Sequence, residues 1–496
     1  MNKKRFLKLA GGGIIILWVV MIGLLVKKVH FDTMEEGQDI GGQRAVTLDS
    51  SEQEWMEIFL KDKKVGYSVR SVRPEGEDYL IWENLFLKLN LLGQANIIQT
   101  STHSIVDSNF FLKEFRFRMD SGIVSFIVSG EVKDKDLIIE IGEGKSRRTE
   151  TVQLSSKPVI GSGLAQFFKG RNLEIGQIYK FPVFDPSTLA QKGITIKVAA
   201  RENLTIRRMD YDVFRLEAEM WGKPMTFWVD MKGFVLKEQG LMGLTLVRSN
   251  AAAATENIEG GDDFYSLASI DAKRKLRKPE QLTKLELKLD GLDGLDFNTT
   301  VLNGGRQKYS NGMLEITKES LPRKGTYSVP FDGEDEGIRY FSRPSLLIQS
   351  DEAVIINKAQ EIVGDISDPV AVTRKITAWV YNGLEKRPMV TVPSAVDVLR
   401  SMMGDCNEHA VLTAALLRAS GIPSRLCVGL VYSRGKFFYH AWNESFVGKW
   451  VSLDATLNQV PADATHIKLV EGGLDKQVEI IGLIGKLELE IIDYER

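Results

Sequence analysis

Residues 404–425 read GDCNEHAVLTAALLRASGIPSR, and this stretch decides the fold of the C-terminal half. Asp405 is a good helix N-cap, and Glu408 three positions later completes a capping box. Gly421, Ile422 and Pro423 form a strong stop. The spacing predicts a helix from about 406 to 420, with Cys406, one of only two cysteines, in its first turn. Unpaired N–H groups and the helix dipole favour a thiolate there, while Asp405 and Glu408 oppose it through like charge. The expected balance is a lowered Cys406 pKa.

Residues 435–456, GKFFYHAWNESFVGKWVSLDAT, read as a β-hairpin. A turn centred on Val447, with Phe446, Val447 and Gly448 as a three-residue loop, would set His440 directly opposite Asp454. Opposite residues share a sheet face, so the carboxylate could hold one imidazole nitrogen while the other faces Cys406. That is the arrangement of an activated thiol: nucleophile, base, and an orienter for the base. Simpler readings cover the remaining candidates. Cys427, within RLCVGLVY (425–432), reads as a buried strand residue. The CNEH spacing of Cys406 and His409 suggests zinc but lacks a second Cys–His pair, so no metal and no cofactor are expected. His409 is read as packed or solvent-facing, His466 as support following Asp463, and Trp442 as a shield over the site.

The segments 404–432, YHAWNESFVGKWVSLDAT (439–456) and VPADATHIKL (460–469) resemble the transglutaminase-like superfamily, over roughly 345–469. The resemblance implies a papain-like core, a cysteine helix packed on an antiparallel sheet that carries His and Asp. It also implies Cys406 as nucleophile, His440 as general base and Asp454 as the residue orienting it. The family often has proline after this aspartate, where this chain has Ala455. For an oxyanion, the Cys406 N–H is a natural donor at a helix start. Trp379 and Tyr381 are candidates for the second.

Elsewhere the chain is less specific. Hydrophobic content of 43% and charge of 26% are ordinary for folded protein, and a net charge of −2 argues against nucleic acid as a partner. An uncharged run from Leu9 to Val26 would span roughly 27 Å as a helix, close to a bilayer core. Basic residues before it place the N-terminus (1–8) in the cytoplasm. The expectation is a single-pass inner-membrane protein with its bulk in the periplasm. No small-x-small site favours cleavage. A linker (27–51) would lead to a large antiparallel β-rich domain (52–249), where apolar and polar residues alternate and GSGLAQFFKG is a lone helix. A second linker (250–275), a small β-rich region (276–340), the catalytic domain (341–475) and a strand-like tail (476–496) would follow. The expected class is α+β. Asp351, Asp368-Pro369 and Ser394 with Asp397 are expected to open three helices before residue 404.

These readings point to a thiol acyl-transfer enzyme acting on a protein or peptide, with hydrolysis favoured over cross-linking to an amine. The competing class is a membrane-tethered binding or assembly protein that uses the β-rich domain to hold a partner protein or ligand.

Overall fold

The computed structural model describes residues 53–496 apart from 92, 123–124, 143–146, 221–222, 241–242, 263–268, 293–300, 390, 473–479, 481–482 and 484. The described residues fall into two compact units, 53–262 and 269–496.

The first unit is a sheet of 15 strands. Its first strand, Gln53–Leu60, pairs antiparallel with its last, Leu244–Ser249, and strands follow in chain order outward on either side of that pair. Alternation drives the build: in Asp78–Leu91 every second residue from Leu85 to Leu91 is buried while those between are half-buried. The helix Gly161–Phe168 buries Leu164, Phe167 and Phe168. A cavity of about 110 Å³ is lined by Leu164 and Phe168 of this helix, by Ile196, Leu216 and Phe227 of the sheet, and by Glu54 and Arg70. Arg70 and Lys169 both pair with Glu54 and, against the cost of burial, hold its carboxyl down at about 2.

The second unit is layered. Its main sheet has five strands: Ile270–Asp271, Lys436–Phe446, Ser424–Ser433 and Ile467–Glu471 in that order, with Trp450–Leu453 also paired to Lys436–Phe446. The helix Cys406–Ala419 is buried all round from Cys406 to Leu417, which marks it as the central helix of the unit. Three further helices, Ala353–Val363, Pro369–Gly383 and Ala395–Ser401, lie against it. A second sheet joins Lys284–Asp290, Gln307–Ser310 and Met313–Thr317 to the C-terminal strand Glu488–Glu495.

The α+β expectation is corrected: the described residues are mostly β, 49% strand against 17% helix. The long alternating runs outweigh the helices, and the described helices of eight or more residues in the second unit all lie between Ala353 and Ala419. The expected transmembrane helix at 9–26 lies outside the described residues. Among the described residues, no helix is long and apolar enough to cross a membrane. Two helix starts also differ. Glu352, rather than Asp351, precedes the helix Ala353–Val363. Ser394 does begin its helix but makes no cap bond, because its hydroxyl is engaged by Gln349 at 2.9 Å. Asp368 caps as read, accepting from the Ala371 N–H at 3.1 Å with Pro369 in the first turn.

Candidate active site

The cysteine helix starts as its residues require. The Asp405 carboxylate accepts the Asn407 N–H at 2.8 Å, and the Glu408 carboxylate accepts the Asp405 N–H at 2.9 Å. The other Glu408 oxygen accepts the Thr391 hydroxyl. Gly404 is needed because the chain passes against Glu408: a β-carbon at 404 would lie 2.2 Å from the Glu408 Cβ. Glu408 is fixed by two hydrogen bonds and cannot yield. Gly404→Ala is therefore expected to destabilise the protein by about 1–3 kcal/mol, read by urea unfolding. An unchanged midpoint would refute this account of the glycine.

His440 lies on the strand Lys436–Phe446. The next residue, Ala441, donates its backbone N–H to the Cys406 sulfur, and Asn443 Nδ2 donates to the Ala410 carbonyl at 2.9 Å. These two bonds stitch the histidine strand onto the first turns of the cysteine helix.

The hairpin turn is centred one residue later than expected, on Gly448, which shifts the pairing by two residues. Asn443 pairs with Leu453 and Phe446 with Trp450, so the turn is Val447, Gly448 and Lys449. Gly448 permits this with a φ of +107°. Continuing the register would put Asp454 opposite Trp442, with His440 two residues along on the same face. Its carboxylate reaches diagonally instead: His440 Nε2 donates to Asp454 Oδ2 at 2.6 Å. Asp454 Oδ1 accepts the Thr456 and Leu457 N–H groups at 2.6 and 3.1 Å. The turn survives the absence of proline because Asp454 and Gln459 exchange backbone hydrogen bonds. Since Nε2 carries the proton toward Asp454, Nδ1 of a neutral His440 presents a lone pair. That buried Nδ1 has no hydrogen-bond partner among the described residues.

The electrostatics correct one expectation. Burial pushes the Cys406 thiol well above its usual range, and the carboxyl groups of Asp405, Glu408 and Asp454 push the same way; the Ala441 N–H only partly offsets them. The helix N-terminus is outweighed because Cys406 is 0% exposed. Cys406 rests as a thiol, so its proton must leave as it reacts. Burial, with Glu408 beside it, likewise pushes the Asp405 carboxyl up. Asp454 is held far below the usual carboxylate range: burial works against this, and the two imidazoles of His440 and His466 overcome it.

The sequence reading took His466 as support, yet it bonds Asp454 directly, Nε2 to Oδ2 at 3.0 Å. Gly429, opposite His440 in the sheet, makes this approach feasible, since a β-carbon there would lie 1.8 Å from the Ile467 carbonyl oxygen. The available signal was Asp463 three residues before a histidine at a strand start. Burial opposes a charge on His466, but Asp463 and Asp454 raise it to about 9. A raised histidine stabilises the fold fully below its unfolded value near 6.5 and stops doing so as pH rises through 9. The gap in thermal midpoint between the native protein and His466→Gln should thus be largest below pH about 6.5 and shrink towards 9. A gap that widens with pH would contradict this.

His409 is fully buried, with Nδ1 donating to the Asp405 carbonyl at 2.5 Å, and burial lowers it to about 4. Trp379 and Tyr381 have cations over their rings, Lys358 at 5.7 Å and Lys386 at 3.6 Å. The donor atoms of His440, Asp454 and His466 lie within 4.8 Å of one another, near enough to surround a cation. Both Nε2 atoms, however, are turned onto a single carboxylate oxygen as hydrogen-bond donors, so the cluster is built for protons.

Residues 356–455 match the transglutaminase-like superfamily. That stretch, which carries Cys406, His440 and Asp454, is a transglutaminase-like domain. Among solved structures the chain is similar to a candidate cysteine protease from Cytophaga hutchinsonii, at 19% identity and a TM-score of 0.28 over 43% of this chain and 86% of that one. It is similar to a β-barrel-like protein of a domain of unknown function from Brucella abortus, at 12% identity and a TM-score of 0.31 over 40% and 95%. It is also similar to a candidate protease from Parabacteroides distasonis, at 12% identity and a TM-score of 0.20 over 69% and 68%. No curated protein sequence matches the chain.

Proposed function

We propose that this protein is a cysteine acyl-transfer enzyme that hydrolyses amide bonds in proteins or peptides. Cys406 is its nucleophile, His440 its general base and Asp454 the residue that orients the base. The observation that carries this is the pairing of a partnerless His440 Nδ1 with the bond that the next residue, Ala441, makes from its N–H to the Cys406 sulfur.

The steps follow from the protonation states. The Cys406 thiol passes its proton to His440 Nδ1 as sulfur attacks the carbonyl carbon. Asp454 stabilises the imidazolium that forms. The Cys406 N–H at the helix start is directed at the developing oxyanion. His440 then gives the proton to the departing amine or ammonia, leaving a thioester. Water, deprotonated by His440, releases the acid and restores the thiol. A lysine amine in place of water would give a cross-link. Both outcomes share the first half-reaction.

The experiment is incubation with a library of glutamine-containing peptides, scoring ammonia, cleaved peptide bonds and, with added primary amine, amide exchange. Acid products without amine incorporation support hydrolysis. Amine incorporation as the main product would replace it by cross-linking. No turnover of any peptide, with Cys406 demonstrably reactive, would overturn the amide substrate class.

A further inference from the structure

Asp454 Oδ2 accepts from two imidazoles, His440 Nε2 at 2.6 Å and His466 Nε2 at 3.0 Å. On its other side, His466 Nδ1 faces Asp463 Oδ1 at 3.2 Å. Asp463 is itself saturated by donors. Its Oδ1 takes the Thr465 N–H at 2.8 Å and the Thr465 hydroxyl at 2.6 Å, and its Oδ2 takes Gln459 Nε2 at 2.8 Å. Carboxylates ringed by donors act as acceptors only, so both nitrogens of His466 must donate. An imidazole with protons on both nitrogens is a cation.

We infer that His466 is a positioning residue: a buried imidazolium clamped between Asp454 and Asp463, which shares Asp454 Oδ2 with His440 and so limits how firmly His440 holds a proton. The inference rests on the reading of His440 as the base. A carboxylate serving His440 alone would stabilise the His440 imidazolium strongly, making it a good proton acceptor but a reluctant donor to the leaving amine. A second cation, its ring centre 5.7 Å from that of His440, shares the carboxylate's charge and repels the first. His466 lies beyond the 356–455 stretch that matches the superfamily.

The groups that bear on this pair come from every neighbouring element. Asp454 and Asp463 flank His466 from the chain after the Trp450–Leu453 strand, and the Trp442 ring packs on it at 5.3 Å. Arg306 donates to the Asp463 carbonyl and pairs with Glu319 at 3.1 Å. Cys406, Asp405, Glu408 and His409 face the site from the cysteine helix, and Lys386 acts on His409.

The test reads the rate of Cys406 alkylation by iodoacetamide from pH 5 to 10 in the full-length protein and in His466→Gln, with the modified residue located by mass spectrometry. The acid limb of the profile is expected to move up by about one pH unit in the variant, since a neighbouring cation has been removed. A uniform change in rate with an unmoved limb would mean a purely structural role and overturn the inference. Should the variant fail to fold, ¹⁵N NMR of the histidines of the native protein decides the matter. His466 protonated on both nitrogens at pH 7.5 supports the inference, and a neutral His466 there overturns it. Neither readout needs a substrate, so a failure here is distinct from a failure of the proposed hydrolysis, which is read on peptides.

Discussion

Cys406→Ala is expected to lower amide hydrolysis by at least about 10³-fold while leaving the fold intact. The thiol is the only group in the site that can form the thioester; without it, the Cys406-position N–H and the bound geometry leave only residual catalysis. The structural cost is small because a β-carbon remains in the helix and only the sulfur is removed, a loss of about 1 kcal/mol of packing. Circular dichroism should superimpose on the native spectrum. Cys427 supplies the control. It is equally buried, but on the strand Ser424–Ser433, and its electrostatic neighbours are Glu444, Lys468, Arg425 and Glu471 rather than Asp405, Glu408 and Asp454. Cys427→Ala should leave turnover within about twofold.

Asp454→Asn is expected to be nearly as damaging, for a different reason. Asp454 Oδ2 is the acceptor for both His440 and His466. An asparagine presenting its amide nitrogen there offers a donor to His440 Nε2 and selects the tautomer with a proton on Nδ1. The base is then aimed wrongly, and kcat should fall by about 10³–10⁴-fold, as when the orienting carboxylate of a serine triad is replaced. Unlike Cys406→Ala, this change also leaves His466 with a single carboxylate and should cost about 3 kcal/mol of stability or more. A variant with full stability and full turnover would show that Asp454 is neither orienter nor charge partner. Loss of stability with kcat retained would separate the two roles.

What the sequence made legible depended on how local the determinant was. The helix Cys406–Ala419 and both halves of its capping box follow from residues within four positions of one another. The pairing of His440 with Asp454 was legible too, because strand alternation keeps them on one face, but the register was not. It depends on Lys449 rather than Phe446 entering the turn, and so on a glycine held at positive φ.

Three things needed tertiary structure. Ser394 looks like a cap, yet Gln349, 45 residues earlier, takes its hydroxyl. A helix N-terminus suggests a depressed thiol, yet complete burial reverses the direction at Cys406. His466 stands 26 positions after His440 in the sequence, and only the strand Ile467–Glu471, laid across Gly429, brings them to one oxygen. The balance of the whole fold was misjudged for a related reason. Helix signals such as caps and stops are conspicuous, whereas the strands that make up 49% of the described residues announce themselves only by alternation.

The proposed chemistry stands or falls on an acyl group carried on the sulfur of Cys406. The most direct measurement is acid quenching of the enzyme during turnover of a peptide or amide, followed by mass analysis of the fragment that contains Cys406. A mass increase equal to the acyl portion of the substrate is expected, confined to that residue, removed by hydroxylamine and absent from Cys406→Ala. Continued turnover in Cys406→Ala, with no acyl adduct on the native thiol, would contradict it.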